Sequence, residues 1–288
     1  MRDYVIFADS SCDILPDILQ EWGVPFVSLS VKFDDEDKSF LNYDRPFPVF
    51  YQKMRQGGVA RTSAANMESF KVAFEPYLQQ GKDILYVGFS SGLSTTVNSG
   101  AMAANELMEQ YPDRKIITED TFGASAGYGL LLYLTVEKKR AGASLEEAAK
   151  FVEDTRFHLD HWFTVDDLVY LKRGGRVSAA AAFAAGLLNI KPVLHMDDPG
   201  HLINMFKVRG RRASIKALAD KYGELAIDPA GGTVFISHGD CIDDAKLLEK
   251  MLADRFGAKV KLITFVGPVI GSHSGPGTLA LFFVGKKR

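Results

Sequence analysis

Hydroxyl side chains crowd one short stretch of this chain. After the apolar run Ile84-Leu85-Tyr86-Val87 come Gly88-Phe89-Ser90-Ser91-Gly92-Leu93-Ser94-Thr95-Thr96, three serines and two threonines in nine residues. The first five spell G-x-S-x-G, the pattern that sets a nucleophilic serine on a sharp strand-to-helix turn. His273 lies downstream in the order such a site needs, so one reading is a serine hydrolase using Ser90 and His273. Two features count against it: only two or three strands precede the turn, and no HGGG-type oxyanion sequence lies upstream. The same stretch supports a second chemistry. A helix that begins just past a glycine turn offers unpaired N–H groups to an anion, and hydroxyls add donors. Arg61-Thr62-Ser63-Ala64 is another hydroxyl-bearing turn, whose plain role is to cap the helix after it.

These residues need elements to hold them. Tyr4–Ala8 reads as a buried strand, Asp9-Ser10-Ser11-Cys12-Asp13 as its polar exit, and Ile14, Ile18 and Leu19 as a helix with Asp13 as cap and Pro16 in the first turn. Phe26–Val31 reads as a second strand, residues 33–48 as a wrapping loop, and Val49–Met54 as a short helix. Phe70, Ala73, Phe74, Tyr77 and Leu78 share one helical face. Strand 84–88 leads into a helix marked by Val97, Ala101, Ala104 and Leu107. A strand at 115–119 and helices at 125–140 and 144–157 follow, the last opened by the capping box Ser144-Leu145-Glu146-Glu147. Strands alternating with helices from residue 4 to 157 predict a doubly wound parallel sheet.

The second half predicts a mixed sheet with helices: strands at 161–165, 190–196, 202–208, 233–237, 259–265 and 280–284, the second and third forming a hairpin. Ala179–Leu188 reads as a close-packing alanine segment. Gly267-Pro268-Val269-Ile270-Gly271-Ser272-His273-Ser274-Gly275-Pro276-Gly277 reads as a glycine-rich loop that leaves His273 unshielded. The expected division is an N-terminal α/β domain, 1–158, and a C-terminal α/β domain, 159–288.

Composition narrows the function. The chain has 288 residues, 47% of them hydrophobic, and a net charge of −2, which argues against broad nucleic-acid binding. No apolar run approaches the ~20 residues of a membrane span. Met1-Arg2-Asp3-Tyr4 does not read as a secretory signal, and two distant cysteines, Cys12 and Cys241, fit a reduced cytoplasmic protein. No four-cysteine or Cys/His metal spacing occurs, no P-loop sequence is present, and the glycines of Gly123-Ala124-Ser125-Ala126-Gly127-Tyr128-Gly129 are spaced for close helix packing, not for a dinucleotide. His158, His161, His195 and His201 read as surface or capping residues. The basic clusters 172–176 and 207–212 read as solvated charge, or as docking points for an acidic partner or anionic lipid headgroups.

Taken together, eight segments carry a resemblance. Asp9-Ser10-Ser11-Cys12-Asp13-Ile14, Thr62-Ser63, Ser91-Gly92-Leu93-Ser94-Thr95-Thr96, and Asp120-Thr121 with Gly127-Tyr128-Gly129 come first. Leu171-Lys172-Arg173-Gly174-Gly175-Arg176-Val177-Ser178, Ile190-Lys191-Pro192-Val193-Leu194, Lys207-Val208-Arg209-Gly210-Arg211 and the 267–277 segment follow. In this order the chain resembles the DegV family, bacterial fatty-acid-binding proteins that include the FakB-type subunits of fatty acid kinase. The resemblance implies two α/β domains with a lipid tunnel at or near their junction and one long-chain fatty acid bound in it. It implies that Thr62, Ser94 and His273 hold the carboxylate, with Ser63, Ser91, Gly92 and Thr95 as additional site residues. It further implies that Arg209 contacts a separate kinase subunit, that the protein is not itself catalytic, and that it needs no cofactor. The family often reads TSQP and GLSGT where this chain has Thr62-Ser63-Ala64-Ala65 and Gly92-Leu93-Ser94-Thr95-Thr96, a departure bearing on acyl preference and partner pairing. A carrier of another small lipid or carboxylate is the remaining alternative. Aromatic and small residues such as Phe183 and its neighbouring alanines are expected along the tunnel.

Overall fold

A computed structural model describes residues 3–177 and 189–288. The expectations for Ala179–Leu188 and Phe183 lie outside these residues. The first part of the chain runs β1 (Tyr4–Asp9), α1 (Pro16–Trp22), β2 (Phe26–Val27), β3 (Ser30–Phe33), β4 (Phe40–Leu41), α2 (Phe47–Arg55), β5 (Ala60–Ser63), α3 (Met67–Gln79), β6 (Asp83–Gly88), α4 (Thr96–Gln110), β7 (Ile116–Asp120), α5 (Ser125–Arg140) and α6 (Leu145–Thr155). The second runs β8 (Leu159–Thr164), α7 (Val169–Arg173), β9 (Ile190–Met196), β10 (Leu202–Arg209), α8 (Arg211–Leu225), β11 (Val234–His238), α9 (Ile242–Phe256), β12 (Val260–Phe265), α10 (Pro268–Ser274) and β13 (Leu279–Val284).

The expected α/β architecture is present. Strands β2-β1-β6-β7 form a parallel sheet. Its two inner strands are buried on both faces, as their unbroken apolar runs require. Val5, Phe7, Ile84 and Tyr86 pack outward on α3 and α4, with the Phe7 and Phe74 rings 4.8 Å apart. Tyr4, Ile6, Leu85 and Val87 face the other way, onto α5. Strands β10-β9-β8-β13-β11-β12 form the mixed sheet, in which only β11 and β12 run parallel. Trp162, Ile236, Leu281 and Phe283 pack on α8 and α9, whereas Phe163, Met196, Phe235 and Phe282 turn inward to the layer that contains α5.

Helix α5 therefore lies between the two sheets. Ser125 through Leu132 are all buried, so this helix has no polar face there. Its two glycines explain how it fits. They are two residues apart, so they lie on opposite sides of the helix. A methyl group on Gly127 would meet His161 and Phe282 of the mixed sheet, and one on Gly129 would lie 2.6 Å from Ile14, beyond β1. The close packing expected for this segment is found, and it is two-sided.

Four local expectations are corrected. Residues 26–31 are not one strand: β2 joins the parallel sheet, while β3 joins β4 and β5 in a small antiparallel sheet. Arg61-Thr62-Ser63 is strand β5, not a turn, and Asn66 caps α3 by accepting from the Ser69 N–H at 2.9 Å. Asp13 does not cap α1; it has φ of 52°, and its side chain accepts a hydrogen bond from Ser125. The 267–277 loop contains helix α10, begun by Pro268.

Candidate functional site

A cavity of about 430 Å³ opens in the central layer. Phe89, Leu93, Phe163, Leu171, Met196, Leu202, Ile270 and Phe282 give it an apolar wall, and Thr62, Ser91, Ser94, Thr95, Arg176 and His273 are among its polar residues. Among the described residues that line it, none is acidic.

These six polar residues come from four segments. β1 and β6 end side by side, and Asp9 fixes the exit: its carboxylate accepts from the Tyr86 O–H at 2.8 Å, the Phe89 N–H at 3.0 Å and the Ser11 N–H at 2.9 Å. The chain then turns through residues 89–95 into α4. On β5 the side chains alternate, so Thr62 faces the cavity while Ser63 is exposed and does not line it. α10 carries His273 in its last turn. Asn42, a buried residue that no sequence pattern singled out, anchors the start of α10 by accepting from the Val269 N–H at 2.8 Å and donating to Ser10 O at 3.1 Å. The α7 exit brings Gly174 and Arg176.

Thr62 and His273 meet: Oγ1 and Nε2 are 2.8 Å apart. The contact depends on Gly174, where any Cβ would collide with His273 Nδ1. Burial, together with the nearby Arg176 cation, pushes the His273 pKa down to about 4, so the ring is neutral at pH 7. Ser94 lines the same cavity and shares a 2.8 Å bond with the Thr96 hydroxyl. Ser91 and Thr95 are exposed at its rim, and the Ser91 N–H donates to Asp120 at 3.1 Å. Gly92 is required by a close approach, since a Cβ there would lie 2.7 Å from Gly200 O.

Arg176 is the site residue that sequence reasoning passed over, because it reads as part of a solvated basic cluster. The side chain is half-buried. It donates to Leu93 O at 3.3 and 3.2 Å and also to Gly174 O, and no carboxylate pairs with it among the described residues. Burial lowers its pKa. The cavity thus holds a guanidinium whose recorded partners are neutral carbonyls.

The other expected residues are placed differently: His161 lines the cavity, whereas Ser90, His195 and Arg209 do not. Ser90 is fully buried and does not line the cavity. Its hydroxyl donates to Gly200 O at 2.8 Å and accepts from the Gly92 N–H at 3.2 Å, while His273 is engaged with Thr62. The expected Ser90–His273 pair is not assembled, and a serine needs its base within hydrogen-bond reach to become a nucleophile. His161 and His195 are not surface residues. They are buried in the mixed sheet, where His161 Nε2 faces the Ala124 N–H at 3.3 Å and the His195 ring stacks on Trp162 with centroids 4.4 Å apart. Arg209 is exposed at the end of edge strand β10, in a separate groove with Arg212, Lys216 and Arg255. Cys12 and Cys241 are free. Among the described residues no helix is long and apolar enough to cross a membrane.

Known proteins resemble this chain in sequence and fold. A family model for uncharacterised proteins of the DegV family matches residues 3–286. A DegV domain-containing protein of Clostridium perfringens is 41% identical over 286 residues, covering 99% of this chain and 98% of its own. A solved DegV lipid-binding protein from Thermotoga maritima superposes with a TM-score of 0.87 at 29% identity, covering 99% of each chain. A stearic-acid-binding protein from Eubacterium ventriosum gives 0.89 at 26% identity over 98% of each chain.

Proposed function

Because this chain belongs to the DegV family, we propose that its central cavity holds one long-chain fatty acid, with the carboxylate at the Thr62–His273 end. The observation that carries this reading is the lining itself. It is an apolar chamber without an acidic described residue, with a guanidinium that among the described residues bonds only to carbonyls, beside an open hydroxyl. A carboxylate taken out of water must be hydrogen-bonded or neutralised. The Thr62 and Ser94 hydroxyls supply donors, since the N–H groups of residues 91–94 are taken up by Asp120 and Ser90, and Arg176 supplies countercharge. Neutral His273 completes the set in one tautomer. When Nε2–H donates to Thr62 Oγ1, the threonine proton is free to donate to the carboxylate. The tail gains about 0.8 kcal/mol per buried CH₂, so a dozen methylenes contribute roughly 10 kcal/mol before the costs of binding. Tail burial then dominates affinity and the polar end fixes orientation.

The protein in this reading performs no chemistry and needs no cofactor. It is a cytoplasmic carrier that presents the carboxylate to a separate kinase subunit, where acyl phosphate forms. Arg209, exposed and outside the cavity, serves as the partner contact, and the basic 207–212 segment can touch an anionic membrane transiently. We also propose the division into domains 1–158 and 159–288, with β8 opening the second.

Mass spectrometry of lipid extracted from the purified protein tests the first part. A stoichiometric long-chain fatty acid is expected; an empty protein that also takes up no added fatty acid overturns the proposal. Thr62→Val combined with Ser94→Ala is expected to weaken retention and acyl-phosphate formation, and unchanged values for both would remove these residues from the site. Arg209→Ala is expected to spare lipid binding and impair kinase-dependent turnover. Equal loss of both would place Arg209 in the fold instead.

A further inference from the structure

Hydroxyls other than those of Thr62 and Ser94 also line the cavity, one next to His273 and a pair removed from it. Ser274 is 5% exposed and lines the cavity, and its Oγ has no hydrogen-bond partner among the described residues. Leaving a buried hydroxyl unsatisfied costs about 1–3 kcal/mol. Ser125 and Ser237 line the same cavity with their hydroxyls 3.0 Å apart. The Ser125 O–H donates to Asp13 Oδ2 at 2.5 Å, so Ser237 donates to Ser125 and keeps its lone pairs as acceptors. This serine pair belongs near the N-terminal end of α10, since a Cβ on Gly267 would lie 2.6 Å from Asp13 Oδ1. His273, six residues further along α10, is therefore roughly 9 Å away along the helix axis at 1.5 Å per residue. Two polar points thus border the path of any chain anchored at the carboxylate end, Ser274 beside its head and Ser237 roughly 9 Å along it.

We propose that the cavity selects fatty acids bearing a hydroxyl group on the acyl chain, the hydroxyl bonding to Ser274 or to Ser237. The inference rests on the fatty-acid reading above and names the ligand class more narrowly. A plain methylene chain leaves both serines facing carbon. A site built around hydrogen-bonding groups penalises a ligand that lacks the matching group.

The test is calorimetric titration of the full-length, lipid-stripped protein with stearic acid and with 3-, 10- and 12-hydroxystearic acid. At least one hydroxy isomer is expected to bind about tenfold or more tighter than stearic acid. That advantage is expected to vanish in Ser274→Val or in Ser237→Ala, whichever hydroxyl it meets, with thermal melting confirming that each variant folds. Stearic acid binding as tightly as every isomer overturns the inference and assigns the two polar points to bound water. An advantage that survives in both variants also overturns it. If stearic acid and all isomers fail to bind, the fatty-acid reading itself falls, an outcome distinct from loss of hydroxyl preference alone.

Discussion

Two polar clusters, around Ser90 and around His273, use the same side-chain types and end differently. At Ser90 each recorded bond of the hydroxyl goes to backbone: the proton to Gly200 O, a lone pair to the Gly92 N–H. The result is a clasp between the 89–95 turn and the β9–β10 hairpin, closed enough that a side chain on Gly200 would collide with Ser90. At His273 the ring bonds a side chain, Thr62, while Arg176 reaches two backbone carbonyls, and a hydroxyl and a guanidinium remain turned toward a cavity. The difference teaches that a motif's spelling matters less than the hydrogen-bonding capacity left over once the fold has taken its share.

The comparison can be broken most readily at Arg176. Arg176→Met is expected to lower fatty-acid affinity about ten- to a hundredfold, the loss of a hydrogen bond to a charged group worth roughly 1.5–3 kcal/mol. Titration with stearic acid reads it, and an unchanged affinity would mean that the guanidinium only braces Leu93 O. Ser90→Ala is the converse. Denaturant unfolding should show a loss of about 1–3 kcal/mol, because Gly200 O and the Gly92 N–H lose a buried partner, with affinity held within twofold. Lost binding with intact stability would exchange the roles of the two clusters. A fluorophosphonate that labelled Ser90 would do the same.

Gly174→Ala is a finer cut. Its Cβ displaces the His273 ring, and affinity is expected to fall about threefold to tenfold, matching one neutral hydrogen bond of about 0.5–1.5 kcal/mol. Smallest is a titration effect. NMR should place the His273 pKa near 4, and Arg176→Met should raise it, since a cation that opposes protonation is gone. The folded value lies below the ~6.5 of an unfolded histidine, so the native state binds fewer protons. This contribution to stability is complete above pH 6.5 and is lost progressively as pH falls toward 4. A measured value near 6.5 would mean that the ring is solvated and the cluster open to water.

Much of the frame was legible because its signals are local. The apolar run of β1, the capping box of α6 and the bounds of α5 follow from periodicity and caps, and the structure keeps them. Thr62 and His273 were named through family likeness, and the structure brings them together. What failed was tertiary. β5 has only four residues and a half-exposed pattern, so its pairing with β3 leaves no apolar run to read. α10 holds glycine and proline because it packs tightly: a Cβ on Gly271 would lie 2.5 Å from Tyr51 Oη. Arg176 looks like any surface arginine until Leu93, 83 residues earlier, is placed beside it. The short Asp13–Ser125 bond joins residues 112 apart, which no window of sequence contains.

Helix α5 has a consequence for how the protein is made. The inner wall that covers one of its sides includes Ala280 and Phe282 of β13, and β13 lies between β8 and β11 inside the mixed sheet. A ribosome that has released residues 1–158 has therefore produced a helix with one flank bare, and that flank stays bare until residues 279–284 emerge. Nascent chains arrested before that point are expected to be protease-sensitive and to recruit chaperones. Protection should then arrive in a single late step, not half by half.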